Sequence, residues 1–170
     1  NRLVSEKARR FAHVVAELAQ HRRADLALIR GETSAQYIDS ERARADALRA
    51  ELSGASEIAE LAALVISEIE DDIGDKAAAL ATFQKVRLDR LAEPLEISLA
   101  ARRAERLYRL RGERQPLLDT YRVLSTLPAL DIAHRLEYAG RFIAELARGR
   151  SRSERSVEAV ATARSTAAAL

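Results

Sequence analysis

Apolar residues recur along this chain at steps of three, four and seven, the spacing of one helical face. Residues 3–29 carry such a stripe at Val4, Phe11, Val15, Leu18, Leu26 and Ile29. Gly31 then ends the helix, because Gly tolerates the left-handed conformation just past a helix terminus. Thr33 starts a second helix, and Gln36 three residues on completes a capping-box pattern. Its stripe is Ile38, Ala45, Leu48 and Leu52, and Ser53-Gly54-Ala55-Ser56 breaks it. A third helix follows through Ile58, Leu61, Val65, Ile69 and Ile73 to Gly74, and Asp75 caps the next. The fourth carries Ala79, Leu80, Phe83, Val86 and Leu91. Pro94 opens a fifth, at a position where its missing N–H costs nothing. That helix runs through Ile97, Ala101, Ala104, Tyr108 and Arg111 to Gly112. Pro116 opens a sixth, with Leu117, Tyr121, Leu124 and Leu127, and Pro128 closes it. The seventh has Ile132, Leu136, Ala139, Phe142, Ile143 and Leu146, then Gly149. Ser151 and Glu154 make a capping box for an eighth, poor in large apolar residues. The pattern predicts an all-α fold of about eight antiparallel helices with short connections.

The stops are themselves periodic. Gly31, Gly74, Gly112 and Gly149 each separate two helices, at intervals of 43, 38 and 37 residues. A period of this size points to helical hairpins stacked as a solenoid, in which neighbours jointly bury stripes that no hairpin buries alone. A helical bundle would also space its hairpins regularly and is the alternative. The long first helix satisfies its stripe either against the second helix or against another copy of the chain. On this reading residues 1–150 are one helical-repeat domain. Residues 151–170 are a capping helix or a linker to a further domain absent from this chain.

Residues 61–91 read LAALVISEIEDDIGDKAAALATFQKVRLDRL. The segment resembles a tetratricopeptide repeat: a helix, a Gly-Asp turn, then a helix with Ala and Phe five and nine residues after the Gly. Ala79 and Phe83 hold those two positions. The next stretch, ARRAERLYRLRGERQPLLDTYRVLSTLP, repeats the plan with Tyr108 before Gly112 and with Leu117 and Tyr121 after it. Pro128 closes the unit as the family's terminal Pro does. The sequence departs from the family in period, and in the first helices, where a large aromatic and a Gly are usual. Ala63 and Ser67 stand there in one unit, and Ala101 and Glu105 in the next. Leu117 replaces the small Ala of the second helix. The match covers residues 61–128, about two units. The resemblance implies peptide or domain binding in a concave groove, without catalysis.

Composition agrees with a helical reading. Of 170 residues, 34 are Ala and 23 Leu, while Gly numbers 6 and Pro 3. With 48% hydrophobic and 32% charged residues the chain is globular rather than disordered. It has no Cys, which excludes disulfides, thiolate metal sites and a Cys nucleophile. No apolar run reaches the roughly 18 residues of a membrane span, and no signal peptide opens the chain. A cytoplasmic location follows as the expectation. Arg outnumbers Lys 25 to 3, which with the high Ala content reads as a GC-rich bacterial source. The chain begins at Asn1 and contains no Met, so it reads as a fragment, or as a sequence whose Met residues are unwritten.

The net charge of +2 hides three blocks. Residues 1–30 sum to +4, residues 31–75 to −9 and residues 76–170 to +7. Such a dipolar chain steers charged partners. Glu68, Glu70, Asp71, Asp72 and Asp75 crowd one helix C-terminus, where the helix dipole disfavours acid, so compensation is required. Arg102, Arg106 and Arg109 are spaced four and three and share one face of the fifth helix. In the resembled repeat these arginines, with Glu68 and Asp71, face the groove. They either pair with those acids between hairpins or grip an acidic peptide or C-terminal carboxylate. The planar Arg fork suits the second role. His13, Glu17 and His21 also share a face, but no further partner set accompanies them, so they read as solvated or core-edge residues and imply no metal or cofactor. Arg148, Arg150, Arg152 and Arg155 form a basic run without stacking aromatics, best read as a solvated turn. No enzyme signature is present: no GxGxxG, P-loop, GxSxG or HExxH.

The expected function is therefore a non-catalytic protein–protein interaction module of a bacterial signalling or regulatory protein. Its partner is a protein, a peptide or another domain of the same full-length chain. The partner-binding candidates are Arg102, Arg106, Arg109, Glu68 and Asp71. The alternative is nucleic-acid or anionic-ligand binding through the basic C-terminal half.

Overall fold

The computed structural model describes residues 2–29, 34–52, 58–148 and 164, with side chains for 6–24, 35–51, 58–148 and 164. The described residues are all-helical. Seven α-helices follow in order: α1 (Arg2–Ile29), α2 (Ser34–Leu52), α3 (Ala59–Asp72), α4 (Lys76–Phe83), α5 (Pro94–Arg111), α6 (Arg114–Ser125) and α7 (Ile132–Ala147). A 3-10 turn, Leu88–Arg90, lies between α4 and α5. The stops at Gly31 and Gly149, the break at residues 53–56, the eighth helix and three of the basic run's arginines (Arg150, Arg152, Arg155) lie outside the described residues.

The chain divides into two compact units, Asn1–Val86 and Arg87–Leu170. In the first, α3 packs against α1, α2 and α4, and α1 also meets α2. Being surrounded, α3 buries far more than a stripe: Leu61, Ala62, Leu64, Val65, Ile66, Ser67 and Ile69 are all inside. In the second unit α6 is central, packed on α5, α7 and the 3-10 turn. Ile97, Leu99, Ala104, Leu107, Leu117, Tyr121 and Leu124 form its core.

The hairpin turns follow from backbone chemistry. Asp75 accepts a hydrogen bond from the Ala78 N–H and caps α4. Gly74 and Gly112 have φ of +92° and +69°, the left-handed region that a side chain disfavours. At each turn two hydrogen bonds close the helix end. Gly74 N–H donates to the Asp71 carbonyl and Asp75 N–H to that of Glu70, while Gly112 donates to Arg109 and Glu113 to Tyr108. The two turns match bond for bond, 38 residues apart.

The residues flanking these turns also correspond. Ala79 and Phe83 on α4, and Leu117 and Tyr121 on α6, are all buried. Ser67 and Glu105, where the first helix of each hairpin departs from the family pattern, each bond to the second helix. Ser67 Oγ donates to the Ala79 carbonyl at 2.8 Å. The Tyr121 hydroxyl donates to Glu105 Oε1 at 2.5 Å.

Several expectations are corrected. The fourth helix stops at Phe83, and Val86 and Leu91 reach the core from non-helical backbone. The sixth starts at Arg114, so Pro116 lies inside its first turn, where the amide hydrogen is still dispensable. On α1 the buried line is Val14, Leu18 and His21, with Phe11 and Val15 only half-buried. On α2 it is Tyr37, Glu41, Ala45 and Leu48. On α7, Ile132 and Leu136 are 58% and 52% exposed, and Tyr138 and Ala139 take the inward positions.

Phe83→Ala and Tyr121→Ala should each destabilise the chain by about 3–5 kcal/mol, the usual cost of emptying a core aromatic site. Urea melts showing less than about 1 kcal/mol for both would contradict their interhelical placement. Gly112→Ala meets no neighbour within 4 Å, so only backbone strain acts. It should cost about 1–2 kcal/mol in the same assay.

Candidate functional site

Four acidic side chains crowd the C-terminal turn of α3, against the negative end of its dipole. Each has its own cation. Arg22 of α1 forks onto Glu68 at 2.9 and 3.3 Å. Arg49 of α2 pairs with Glu70. Lys76 of α4 donates to the Asp71 carboxylate at 2.6 Å and to its carbonyl at 2.7 Å. His21 of α1 donates from Nε2 to Asp72 at 3.1 Å. The compensation this cluster requires is thus supplied within the first unit by three other helices.

His21 is the innermost of these cations, with no exposed surface. Its Nδ1 donates to Glu41 Oε2 of α2 at 2.7 Å, and Glu41 is itself buried. The other Glu41 oxygen accepts from Arg44 Nε at 3.1 Å. Arg44 reaches on to Glu17 at 2.5 Å and to Gln20 at 2.9 Å. Burial, the largest influence, pushes the His21 pKa down. Hydrogen bonds to Asp72 and Glu41 and the charges of both carboxylates outweigh it and raise the pKa from 6.5 to about 9. Burial likewise pushes the Glu41 carboxyl up, but the bonds and charges of His21 and Arg44 hold it below its ordinary value. The ring is an imidazolium clamped between two carboxylates.

The five partner-binding candidates fall into two groups. Glu68 and Asp71 lie on α3. Glu68 is half-buried under Arg22 and Asp71 is buried under Lys76, so Asp71 presents no carboxylate to solvent. Arg102, Arg106 and Arg109 lie on the exposed side of α5 in the second unit. Arg109 reaches Glu145 Oε2 of α7 at 3.4 Å and Glu105 at 4.0 Å. Glu105 also accepts from Arg141 at 2.7 Å as well as from Tyr121, whose pKa is pushed up by burial and by that carboxylate. Glu145 further holds Arg148 at 2.8 Å, and Arg114 caps α7 through the Glu145 and Leu146 carbonyls at 2.6 Å each. A pocket of about 320 Å³ opens beside Pro94, Ile97, Leu130, His134, Tyr138 and Arg141.

The His13, Glu17 and His21 face does not act together. His13 pairs with Glu51 at 3.0 Å, Glu17 with Arg44, and His21 is neither solvated nor at the core edge but fully inside. The residues missed from sequence are His21 in its buried role, Glu41, Arg22 and Arg49. A signal existed: His21 and Glu41 both stand on the apolar line of their helices, one a base and the other an acid. No family model matches this chain, and no curated protein or solved structure matches it significantly.

The pH dependence of stability follows from the raised His21 pKa. The groups facing the ring are Glu41 from α2 and Asp72 from α3, with Glu17, Arg22, Arg44 and Glu68 around them. Because protonation favours the folded state, the His21 contribution is complete below pH 6.5, declines toward pH 9 and is absent above it. In metal-free buffer the chain should lose on the order of 3 kcal/mol across that window. His21→Gln should flatten the slope. A wild-type melting temperature that holds or rises from pH 6.5 to 9 would contradict the clamp.

Proposed function

We propose that this chain is a tetratricopeptide-like array of helical hairpins that acts as a non-catalytic interaction module in a bacterial signalling or regulatory protein. The observation that carries the reading is the recurrence of one hairpin turn, bond for bond, 38 residues apart, with buried Ala79 and Phe83 in one copy answered by Leu117 and Tyr121 in the other. The packing of α1 on both α2 and α3 is also the neighbour pattern of stacked hairpins. The partner is an acidic peptide or a C-terminal carboxylate, from another protein or from another domain of the full-length chain. Its contact row is Arg102, Arg106 and Arg109 on the exposed face of α5, with a fork suited to carboxylates; Arg109 would exchange its pairs with Glu145 and Glu105 for the ligand's carboxylate.

Nucleic-acid binding is the weaker alternative. Arg109, Arg114, Arg141 and Arg148 are engaged with carboxylates or carbonyls of their own unit, which lowers the field available to a phosphate backbone.

Fluorescence anisotropy with a panel of acidic and C-terminal peptides tests the reading. Arg102→Ala combined with Arg106→Ala should weaken the best peptide by about tenfold or more, since charge-assisted contacts are worth about 1.5–3 kcal/mol each. Thermal stability should change by less than about 1 kcal/mol, because both side chains are exposed and exposed ion pairs contribute little. Tight, strongly salt-dependent RNA or DNA binding with no peptide signal would favour the alternative.

A further inference from the structure

We propose that His21, Glu68 and Asp72 form a binding site for a divalent first-row transition cation, with Glu41 orienting the histidine from behind. One donor atom from each of the three residues lies within 4.8 Å of the other two. A tetrahedral ion with bonds of about 2.0–2.1 Å holds its ligand atoms about 3.3 Å apart. Closing the site therefore takes side-chain movements of about an ångström, on three residues fixed by two helices.

The surroundings match what such ions need. A ligating histidine ordinarily presents one ring nitrogen to the metal while the other donates to a carboxylate, which fixes the tautomer and raises basicity. Here Nδ1 already donates to buried Glu41 at 2.7 Å, and Nε2 is the nitrogen that meets Asp72 at 3.1 Å. Arg22 occupies one lone pair on each Glu68 oxygen, and a carboxylate oxygen has a second. Charge also favours a cation. Two carboxylates, Glu68 and Asp72, face the ring from α3, and a third, Glu41, lies behind it. Access comes from one side: the Glu68 and Asp72 side chains are 14% and 15% exposed, while His21 is sealed. One imidazole and two carboxylates, without sulfur, suit Zn²⁺, Mn²⁺, Fe²⁺ or Co²⁺ rather than Cu⁺. On binding, the cation replaces the Nε2 proton, which leaves to solvent.

The test uses chain stripped with a chelator and titrated with Zn²⁺ by calorimetry and with Co²⁺ by visible absorption. The expected result is one saturable site per chain, with the visible bands of a low-coordinate Co²⁺ ion. Glu68→Gln and Asp72→Asn should each weaken binding by tenfold or more. Glu41→Gln should weaken it by about 10–100-fold, the usual range for a group orienting a metal ligand. His13→Gln should leave it unchanged. Far-UV circular dichroism verifies that each variant is folded. X-ray absorption on the wild-type zinc complex needs no variant and should show a single imidazole among oxygen ligands. The proposal is overturned by absence of saturable binding at about 100 μM ion, a concentration far above what a built site requires. It is equally overturned if Glu68→Gln and Asp72→Asn bind as wild type, if His13→Gln abolishes binding (an adventitious surface ion), or if the absorption spectrum shows no imidazole.

Discussion

Acid at the C-terminus of a buried helix is the constraint around which the first unit is arranged. Glu68, Glu70, Asp71 and Asp72 sit where the dipole of α3 is negative and where Ile66 and Ile69 hold the helix inside the core. Their charges are tolerable only if cations reach them, and the cations come from three other helices: His21 and Arg22 from α1, Arg49 from α2, Lys76 from α4. Each pair fixes the axial position of one helix against α3. Hydrophobic stripes alone would allow a helix to slide by a turn at modest cost. A buried carboxylate without its partner would cost several kcal/mol, so the ion pairs restrict the register more sharply than the apolar contacts do.

The hairpin is the second organising element, and it occurs in both units. The same pair of hydrogen bonds closes α3 at Gly74 and α5 at Gly112. Ser67 and Glu105 stand at one equivalent position in the two hairpins, and each answers a different neighbour. Ser67 bonds to the backbone of a small residue, Ala79, whereas Glu105 bonds to the hydroxyl of Tyr121, where the other hairpin has Phe83. Each pair is matched within its own hairpin: Phe83 needs no acceptor, and the buried Tyr121 hydroxyl would be costly without one. A repeated scaffold with locally adjusted contacts is a setting in which exposed faces vary without cost to the core, and the α5 arginine row is such a face.

Much of the fold was legible in the chain. Gly74, Gly112, Asp75 and Pro94 mark helix ends through backbone chemistry that depends on the residue itself, and these boundaries match. The interior line of α3 was also legible, because it is apolar throughout. What escaped was decided by partners distant in sequence. His21 and Glu41 occupy core positions only because each is the other's counterion, and periodicity counts both as polar. The 132–136 segment of α7 has the spacing of a buried stripe, yet Ile132 and Leu136 are exposed because Tyr138 and Ala139 take the packed side. The fourth helix is shorter than its stripe because Val86 and Leu91 serve the core equally well from non-helical backbone. At the candidate site the arginine row was visible from its four-and-three spacing, whereas Asp71, expected to face the groove, is buried under Lys76.

The clamp at the end of α3 depends most directly on the charge state of His21. Nitrogen-15 and proton NMR of the chelator-treated chain near neutral pH reads it without perturbing the fold. Two ring N–H protons, both slow to exchange and showing contacts to protons of Glu41 and Asp72, are the predicted result. A single ring proton, or a ring that exchanges freely with water, would contradict the clamp at the end of α3.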